Sequence, residues 1–470
     1  MLNVGHIIIT IVVVLGITVA GLLIRNKYDI RVVLFGTGIF FMLIAALLGF
    51  PVLPEETVSD IQFFNILRQM GNAFRQIGNT FVSQLTGAGL IIMVLFGFSA
   101  YMNEIGANEM TVKVVSSPLL KIKNKRLIVP AFFLVASALC MIIPSASSLG
   151  VLLMATAYPS LVKAGVSPLT SAAMIAMAAG VAPTPLGSDN VIIYGYLDMT
   201  LHEYVFRYHA LVSIPVILIL CVVHYFWQGY CDKKEGNQTP QQAVNVQDAT
   251  SAKKAPIFYA ILPMLPLLFM LIFAILEMTA QITIGLQLVE LTFISLLIAV
   301  LIDLTCTRNK KGSVAAVKTF FTGMSNGFVT VVVQVVAAMT FINGLRALGV
   351  IDGLSAFTSE IVGGGVLAIV IFCLLIIAVG LISGTGLSLF MGLIPVIPLF
   401  AYDAGVSAVA MMISMQFTAH FTKTTSPLSP VMIITSDMMG VNGLKLAKRT
   451  VLPSLVGAGL SILFAYVLFR

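Results

Sequence analysis

Charge is scarce in this chain. Only 10% of its 470 residues are Asp, Glu, Lys or Arg, against roughly a quarter in an ordinary soluble domain, which excludes a solvated surface along its whole length. The five cysteines, Cys140, Cys221, Cys231, Cys306 and Cys373, are scattered, with neither metal-ligand spacing nor a disulfide framework. They read as packing residues. No phosphate-binding glycine loop, metal cluster or nucleophile–base set is visible, so an enzyme is the least supported class and no cofactor is expected. The net charge of +7 does not mark a nucleic-acid binder, because the basic residues sit in short stretches between apolar runs.

Those apolar runs make up most of the chain. Hydrophobic residues are 59% of the total, mean hydropathy is +1.04, and runs of roughly 20 residues recur, each long enough to cross a bilayer core as a helix. The chain is predicted to be an all-α polytopic membrane protein surrounded by lipid. Its first run, VGHIIITIVVVLGITVAGLLI (4–24), lacks a basic leader and an obvious cleavage site and reads as a retained span. Spans are predicted near 4–24, 32–50, 82–103, 168–197, 208–228, 257–276, 282–302, 319–342, 405–440 and 450–468. Two further apolar pairs, 127–163 and 361–402, are each interrupted by small and polar residues and read as re-entrant hairpins.

The distribution of basic residues sets the predicted sidedness. With both termini outside and the hairpins not crossing, the inner stretches 25–31, 104–126, 163, 229–256, 303–318 and 441–449 hold 20 of the 26 Lys and Arg. Arg68, Arg75, Arg207, Arg346 and Arg470 fall outside, a strong positive-inside bias. Lys423 belongs to neither side.

The polar stretch 229–256 reads as a flexible linker between halves 1–228 and 257–470. Each half contains five spans and one hairpin. Five is odd, so the second half enters from the opposite face, and the two form an inverted repeat. AGVS recurs at 164–167 and 404–407, and the same offset lays PSASS (144–148) on GTGLS (384–388) and APTPLGSD (182–189) on TKTTSPLS (422–429). Inverted repeats with discontinuous helices characterise secondary transporters.

Non-helical backbone at membrane depth survives only inside protein or beside water, so four matched breaks outline a shared hydrated cavity. At the hairpin tips, Ser145, Ser147 and Ser148, and Ser383, Thr385 and Ser388, offer hydroxyls beside the N-termini of restarting helices, which suit a carboxylate. Alternatively, the tips are simple capped turns. In the broken spans 168–197 and 405–440, prolines force the helix open, exposing Thr184 in one and Thr424, Thr425 and Ser426 in the other. Lys423 adds a full positive charge at a depth where an ionisable group is a functional candidate; snorkelling to a surface or pairing with Asp189 are the alternatives. Asp189, with Asn190 beside it, is a candidate coupling site or a helix cap. Glu290 could carry a proton or contact a neighbouring span. His420 could sense pH or be a satisfied core histidine. His224 and Trp227 read as interfacial anchors, and the glycines at 363–365 as a hinge.

The strings YMNEIGANEM (101–110), SLGVLLMATAYPSLVKAGVS (148–167), HYFWQGYCDKKE (224–235), FYAILP (258–263) and TKTTSPLSP (422–430) resemble the DcuC family of anaerobic four-carbon dicarboxylate transporters. The resemblance runs through nearly the whole chain. It implies a homodimer in a bacterial inner membrane, with a scaffold part and a moving transport part. It also implies succinate, fumarate or malate as cargo, moved by exchange or proton-linked transport. The hairpin tips would bind carboxylates, Thr184 and residues 424–426 would line unwound helices, and Asp189 would match an acidic family position. Sodium is less expected, because the tips lack the Ser-Asn-Thr signature of sodium-coupled relatives. Lys423 stands where arginine would be expected, and a lysine lacks arginine's bidentate fork. Another acid (a short-chain fatty acid, citrate or an aminoacyl-benzoate) is the alternative cargo, and an anion channel the alternative class.

Overall fold

A computed structural model describes residues 4–26, 28–53, 61–122, 124–143, 145–178, 180–235, 255–281, 285–307, 310–351, 353, 365–384 and 386–469. The described residues form helices, turns and bends, with no strand among them. Among the described residues, ten helices are long and apolar enough to cross a membrane. Most of the 229–256 linker, and the first two glycines of 363–365, lie outside the described residues.

The chain opens with α1 (Val4–Arg25) and α2 (Ile30–Leu47), the latter capped by Asp29, whose carboxylate accepts from the Arg31 amide. Next, α3 (Gln62–Gln84) runs through a π-helical turn at Leu85–Gly89 into α4 (Leu90–Glu104), followed by the short α5 (Ala107–Ser116). The helices α6 (Lys125–Ile142) and α7 (Ala146–Lys163) form a pair, and α8 (Pro168–Ala178) and α9 (Ser188–Tyr194) are two pieces of an interrupted rod. Then α10 (Ala210–Glu235) ends the first half, seven residues beyond its predicted end.

The described residues after 257 form the remaining elements. They begin with α11 (Leu265–Ala280) and α12 (Leu288–Cys306). A second long run follows, α13 (Lys310–Gly327) passing through a π turn at Phe328–Val332 into α14 (Val333–Ala347). The pair α15 (Gly365–Ser383) and α16 (Gly386–Leu393), with α17 (Ile397–Asp403) extending the second arm, precedes the interrupted rod α18 (Ala408–Lys423) and α19 (Pro430–Met439). The final helix is α20 (Gly443–Phe469).

Two sets of close helix contacts hold these elements together. In the first, α4 packs along α13, α2 packs along α14, and the two π turns touch. The contact surfaces are glycine, because small residues let membrane helices approach closely where lipid supplies no hydrophobic drive. A Cβ on Gly323 would meet Ala100 Cβ at 2.6 Å, and one on Gly344 would meet the Gly38 carbonyl oxygen at 2.6 Å. In the second set, α8 packs against both arms of the α6–α7 pair, α18 packs against α15, α16 and α20, and α19 lies on α7 and α8.

Three expectations are corrected here. Glu290 is not mid-span; it lies exposed in the first turn of α12, where its carboxylate accepts from the Gln287 amide at 2.9 Å in a capping box. His224 is fully buried against the Phe133 ring, not at an interface. Nearby, Trp227 Nε1 donates to the Arg449 carbonyl at 3.0 Å. Arg449 itself, 2% exposed, is paired with Asp232 at 2.7 Å and Glu235 at 2.8 Å, so residues 229–235 tie α10 to α20 and do not begin a free linker.

The glycine seam yields a stability contrast. Gly323→Leu should lower unfolding free energy by about 1–3 kcal/mol through overpacking. Gly71→Ala, at an exposed helical site with nothing within 4 Å of the added Cβ, should be neutral or stabilising by up to about 1 kcal/mol. Thermal unfolding midpoints in detergent micelles check both.

Candidate functional site

Four interruptions in the helices meet in the second set of contacts. The first is the tip between α6 and α7. Ser145, with extended backbone, is the N-cap of α7 and accepts from the Ser148 amide at 3.4 Å. Ser147 and Ser148 occupy the first turn and are partly exposed. The second is the gap between α8 and α9, where Pro183 and Pro185 interrupt the helix. Here the Thr184 hydroxyl donates to the Met141 carbonyl at 2.7 Å, which fastens the gap to the end of α6.

The third interruption is the tip between α15 and α16. Gly384 adopts φ +79°, a left-handed conformation that favours glycine. It also lies so close to the fourth interruption, between α18 and α19, that a Cβ would stand 2.5 Å from the Leu428 carbonyl oxygen. The Ser426 hydroxyl donates to the Leu381 carbonyl at 3.2 Å across the same junction. Thr385 lies outside the described residues.

A chain of polar side chains joins the two halves through their broken rods. Asn190 Nδ2 donates to the Thr184 carbonyl at 2.8 Å. Gln416, on α18, donates from Nε2 to Asn190 Oδ1 at 2.7 Å and to Asp189 Oδ2 at 2.6 Å, while its own Oε1 accepts from the Tyr204 hydroxyl at 2.8 Å. One turn along α18, His420 Nε2 lies 2.6 Å from the same Asp189 Oδ2. Lys423 Nζ then stands 3.4 Å from His420 Nδ1. Asp189 and Gln416 are 6% and 0% exposed, and no fully buried side-chain polar atom of this row lacks a hydrogen-bond partner.

Two sequence alternatives are thereby resolved. Asp189 is not the helix cap, since α9 begins at Ser188 behind Gly187 and the carboxylate points across to α18. Nor does Lys423 pair with Asp189, whose carboxylate is instead met by the His420 ring. Among the described residues no carboxylate lies within salt-bridge distance of the Lys423 ammonium.

The remaining candidates divide by what they touch. Thr424 is buried and shares a 3.1 Å hydrogen bond with Ser454 of α20. Ser388 is buried and accepts from Gln334 of α14, so it faces the first set of packed helices. Ser383 and Thr425 bond to carbonyls of their own helices, at 2.8 and 2.9 Å. Gln416 and Tyr204 were not legible as site residues. A glutamine inside an apolar run and a tyrosine beside a loop carry no pattern, and only the α9–α18 contact joins them to Asp189. Among the described residues no group of three or more His, Cys, Asp or Glu could hold a metal ion. Two surface clefts of about 350 and 380 Å³ lie away from the Asp189–Lys423 row.

With the geometry in view, comparisons with known proteins bear on what the arrangement is for. A family model described as "C4-dicarboxylate anaerobic carrier" matches residues 6–470. The anaerobic C4-dicarboxylate transporter DcuC of Escherichia coli (strain K12) is 30% identical over 464 residues, covering 97% of this chain and 95% of that protein. A probable DcuC transporter of Vibrio cholerae is 31% identical over 438 residues, 93% of each. Among solved structures, the YdaH transporter of Alcanivorax borkumensis superposes with a TM-score of 0.61 at 14% identity, covering 93% of this chain and 97% of that one. MtrF of Neisseria gonorrhoeae, described as an antimetabolite efflux pump, gives 0.56 at 11% identity, covering 96% and 97%. At such identities these two bear on the fold alone.

The row predicts strong coupling between its members. Asp189→Ala should cost about 2–3 kcal/mol, because it strands buried donors on Gln416 and His420. In a double-mutant cycle with His420→Ala the two changes should fall short of additivity by about 1 kcal/mol or more. Unfolding midpoints of the four proteins in detergent would expose additivity if the contact were incidental.

Proposed function

Because this chain belongs to the C4-dicarboxylate anaerobic carrier family, DcuC, we propose that it is a secondary transporter of small organic anions, with succinate, fumarate and malate as the leading cargo. The observation that carries this reading is the Lys423 ammonium. It is half-buried, sits where a broken helix ends, and has an imidazole nitrogen but no carboxylate beside it among the described residues. A dicarboxylate is too strongly hydrated to cross hydrocarbon unaided, and a site that replaces its water with one ammonium and free peptide N–H groups compensates that loss.

In this reading Lys423 neutralises one carboxylate. The α7 N-terminus, with Ser145, Ser147 and Ser148, and the second tip, with Ser383 and Thr385, orient the cargo from opposite sides. Thr184, Thr425 and Ser426 set the shape of the gaps, whereas Thr424 and Ser388 hold the surrounding helices in place. Coupling is by exchange or by protons, with Asp189 and Asn190 bracing the site from the first half.

The matched π turns, the matched hairpins and the matched broken rods support an inverted repeat of 1–228 and 257–470. They also support an elevator motion, in which the α6–α9 and α15–α19 bodies slide against the α2–α4 and α12–α14 scaffold. A homodimer in a bacterial inner membrane, with both termini outside, completes the proposal. Since lysine offers a point charge without a fork, selection between two-headed and one-headed acids is the weaker part of the site. A competition panel of organic acids against labelled succinate measures it.

Lys423→Ala should cut succinate uptake into proteoliposomes by about 100-fold, in keeping with the loss of a charge-assisted contact, while the protein stays monodisperse. Undiminished uptake would remove Lys423 from the site and with it this account of the cargo's charge.

A further inference from the structure

We propose that His420 Nδ1 is the binding site of a coupling proton, and that this proton frees Lys423 to receive the anion. The inference rests on the transport reading above and goes beyond it by locating the proton on a residue other than Asp189 or Asn190.

The argument begins with hydrogen-bond roles. An ionised carboxylate can only accept, and an ammonium can only donate. Asp189 Oδ2 lies 2.6 Å from His420 Nε2, so Nε2 must carry the hydrogen. Lys423 Nζ lies 3.4 Å from His420 Nδ1, so Nδ1 must offer its lone pair. The resting row is thus carboxylate, neutral imidazole and ammonium, with a net charge of zero. In that state the lysine is engaged by the ring.

Adding one proton changes two things together. A new Nδ1–H bond forms with a proton drawn from water, and the Nζ–H···Nδ1 hydrogen bond breaks, because both groups are now donors and both are positive. The ammonium must turn away from the ring. The row becomes +1, and two cations then face one carboxylate of the protein. A dianion entering beside Lys423 then leaves the site at −1 where it would otherwise stand at −2, so proton and anion favour one another's binding, as linkage requires. Neutral imidazole is the side chain whose ordinary range lets this happen near neutral pH.

Asp189 is the poorer proton site on geometric grounds. Its Oδ2 accepts from Gln416 Nε2 and His420 Nε2, both at 2.6 Å, and two such donors favour the ionised carboxylate. Asn190 has no titratable group. Other titratable side chains in electrostatic reach of the row are His209, Tyr204 and Cys140, and Cys373 lies behind Thr418 on α15. His209 packs its ring against Phe417 and Tyr204 and bonds to no member of the row. Tyr204 is spent on Gln416. None of these is hydrogen-bonded to Lys423, whose ammonium meets the His420 ring. Lys423 and His420 are both partly exposed.

The test counts protons. Purified full-length protein in weakly buffered detergent solution is titrated with fumarate, whose carboxylates are fully ionised above roughly pH 6. A pH-indicator dye reads proton uptake, and labelled fumarate reads binding in the same samples. Wild-type protein is expected to take up about one proton per fumarate bound between about pH 6.5 and 7.5, and progressively less at any acidic pH at which the ring is charged before binding. In His420→Gln, whose amide can still donate to Asp189, the protons taken up per fumarate bound should fall to zero at every pH, whatever affinity remains. Asp189→Asn should retain proton uptake.

Proton uptake that persists in His420→Gln overturns the proposal. So does wild-type binding with no proton uptake between about pH 6 and 8, a result that needs no variant to fold. In that second case fumarate binding remains and the transport reading stands. If wild-type protein binds neither fumarate nor succinate, the transport reading falls and takes this inference with it.

Discussion

The contact on which the site depends is the meeting of one carboxylate with one turn of helix from the other half of the chain. Asp189 sits at the start of α9, the short piece that resumes after the proline-rich gap, and Gln416 and His420 reach it from α18 at 2.6 Å. A carboxylate in a membrane-embedded core is costly unless fully satisfied, so the two broken rods are held in one mutual register. Once that register is set, Lys423 is carried to the end of the row and Ser426 to Leu381 at the second hairpin. Displacing α18 by one turn would strand the carboxylate and move the ammonium together.

This explains why irregular backbone is tolerated where it occurs. In hydrocarbon every peptide group needs a partner, and side chains at the gaps supply some of them. Thr184 ties the first gap to the end of α6, and Asn190 closes on the Thr184 carbonyl. Gly384, in the left-handed region, lets the second tip come within reach of Leu428. Two long rods kinked by touching π turns, with glycines at their crossings, form a separate and more regular surface. The Gln334–Ser388 hydrogen bond crosses between this surface and the second hairpin.

Neighbours far apart in the chain explain what could not be read from residue order. His420 looks like an ordinary core histidine in FTAHFTK, and Gln416 like an isolated polar residue in an apolar run. Their roles arise because Asp189, more than two hundred residues earlier, faces the same side of α18. Glu290 and His224 were misread for a related reason. Hydropathy reports how apolar a segment is, and it could not say that Glu290 would fall in a first turn or that His224 would face Phe133.

Composition and hydropathic periodicity were sufficient to settle that this is a many-spanning helical membrane chain, because twenty apolar residues in a row have few other fates. Proline and glycine placement was sufficient to locate the interruptions, since a ring without an N–H cannot continue a helix. Which side chains the interruptions present to one another was left to tertiary packing. The partner of Asp189, the tautomer of His420 and the half-buried setting of Lys423 depend on angles and distances between α9 and α18, which no local run of residues encodes.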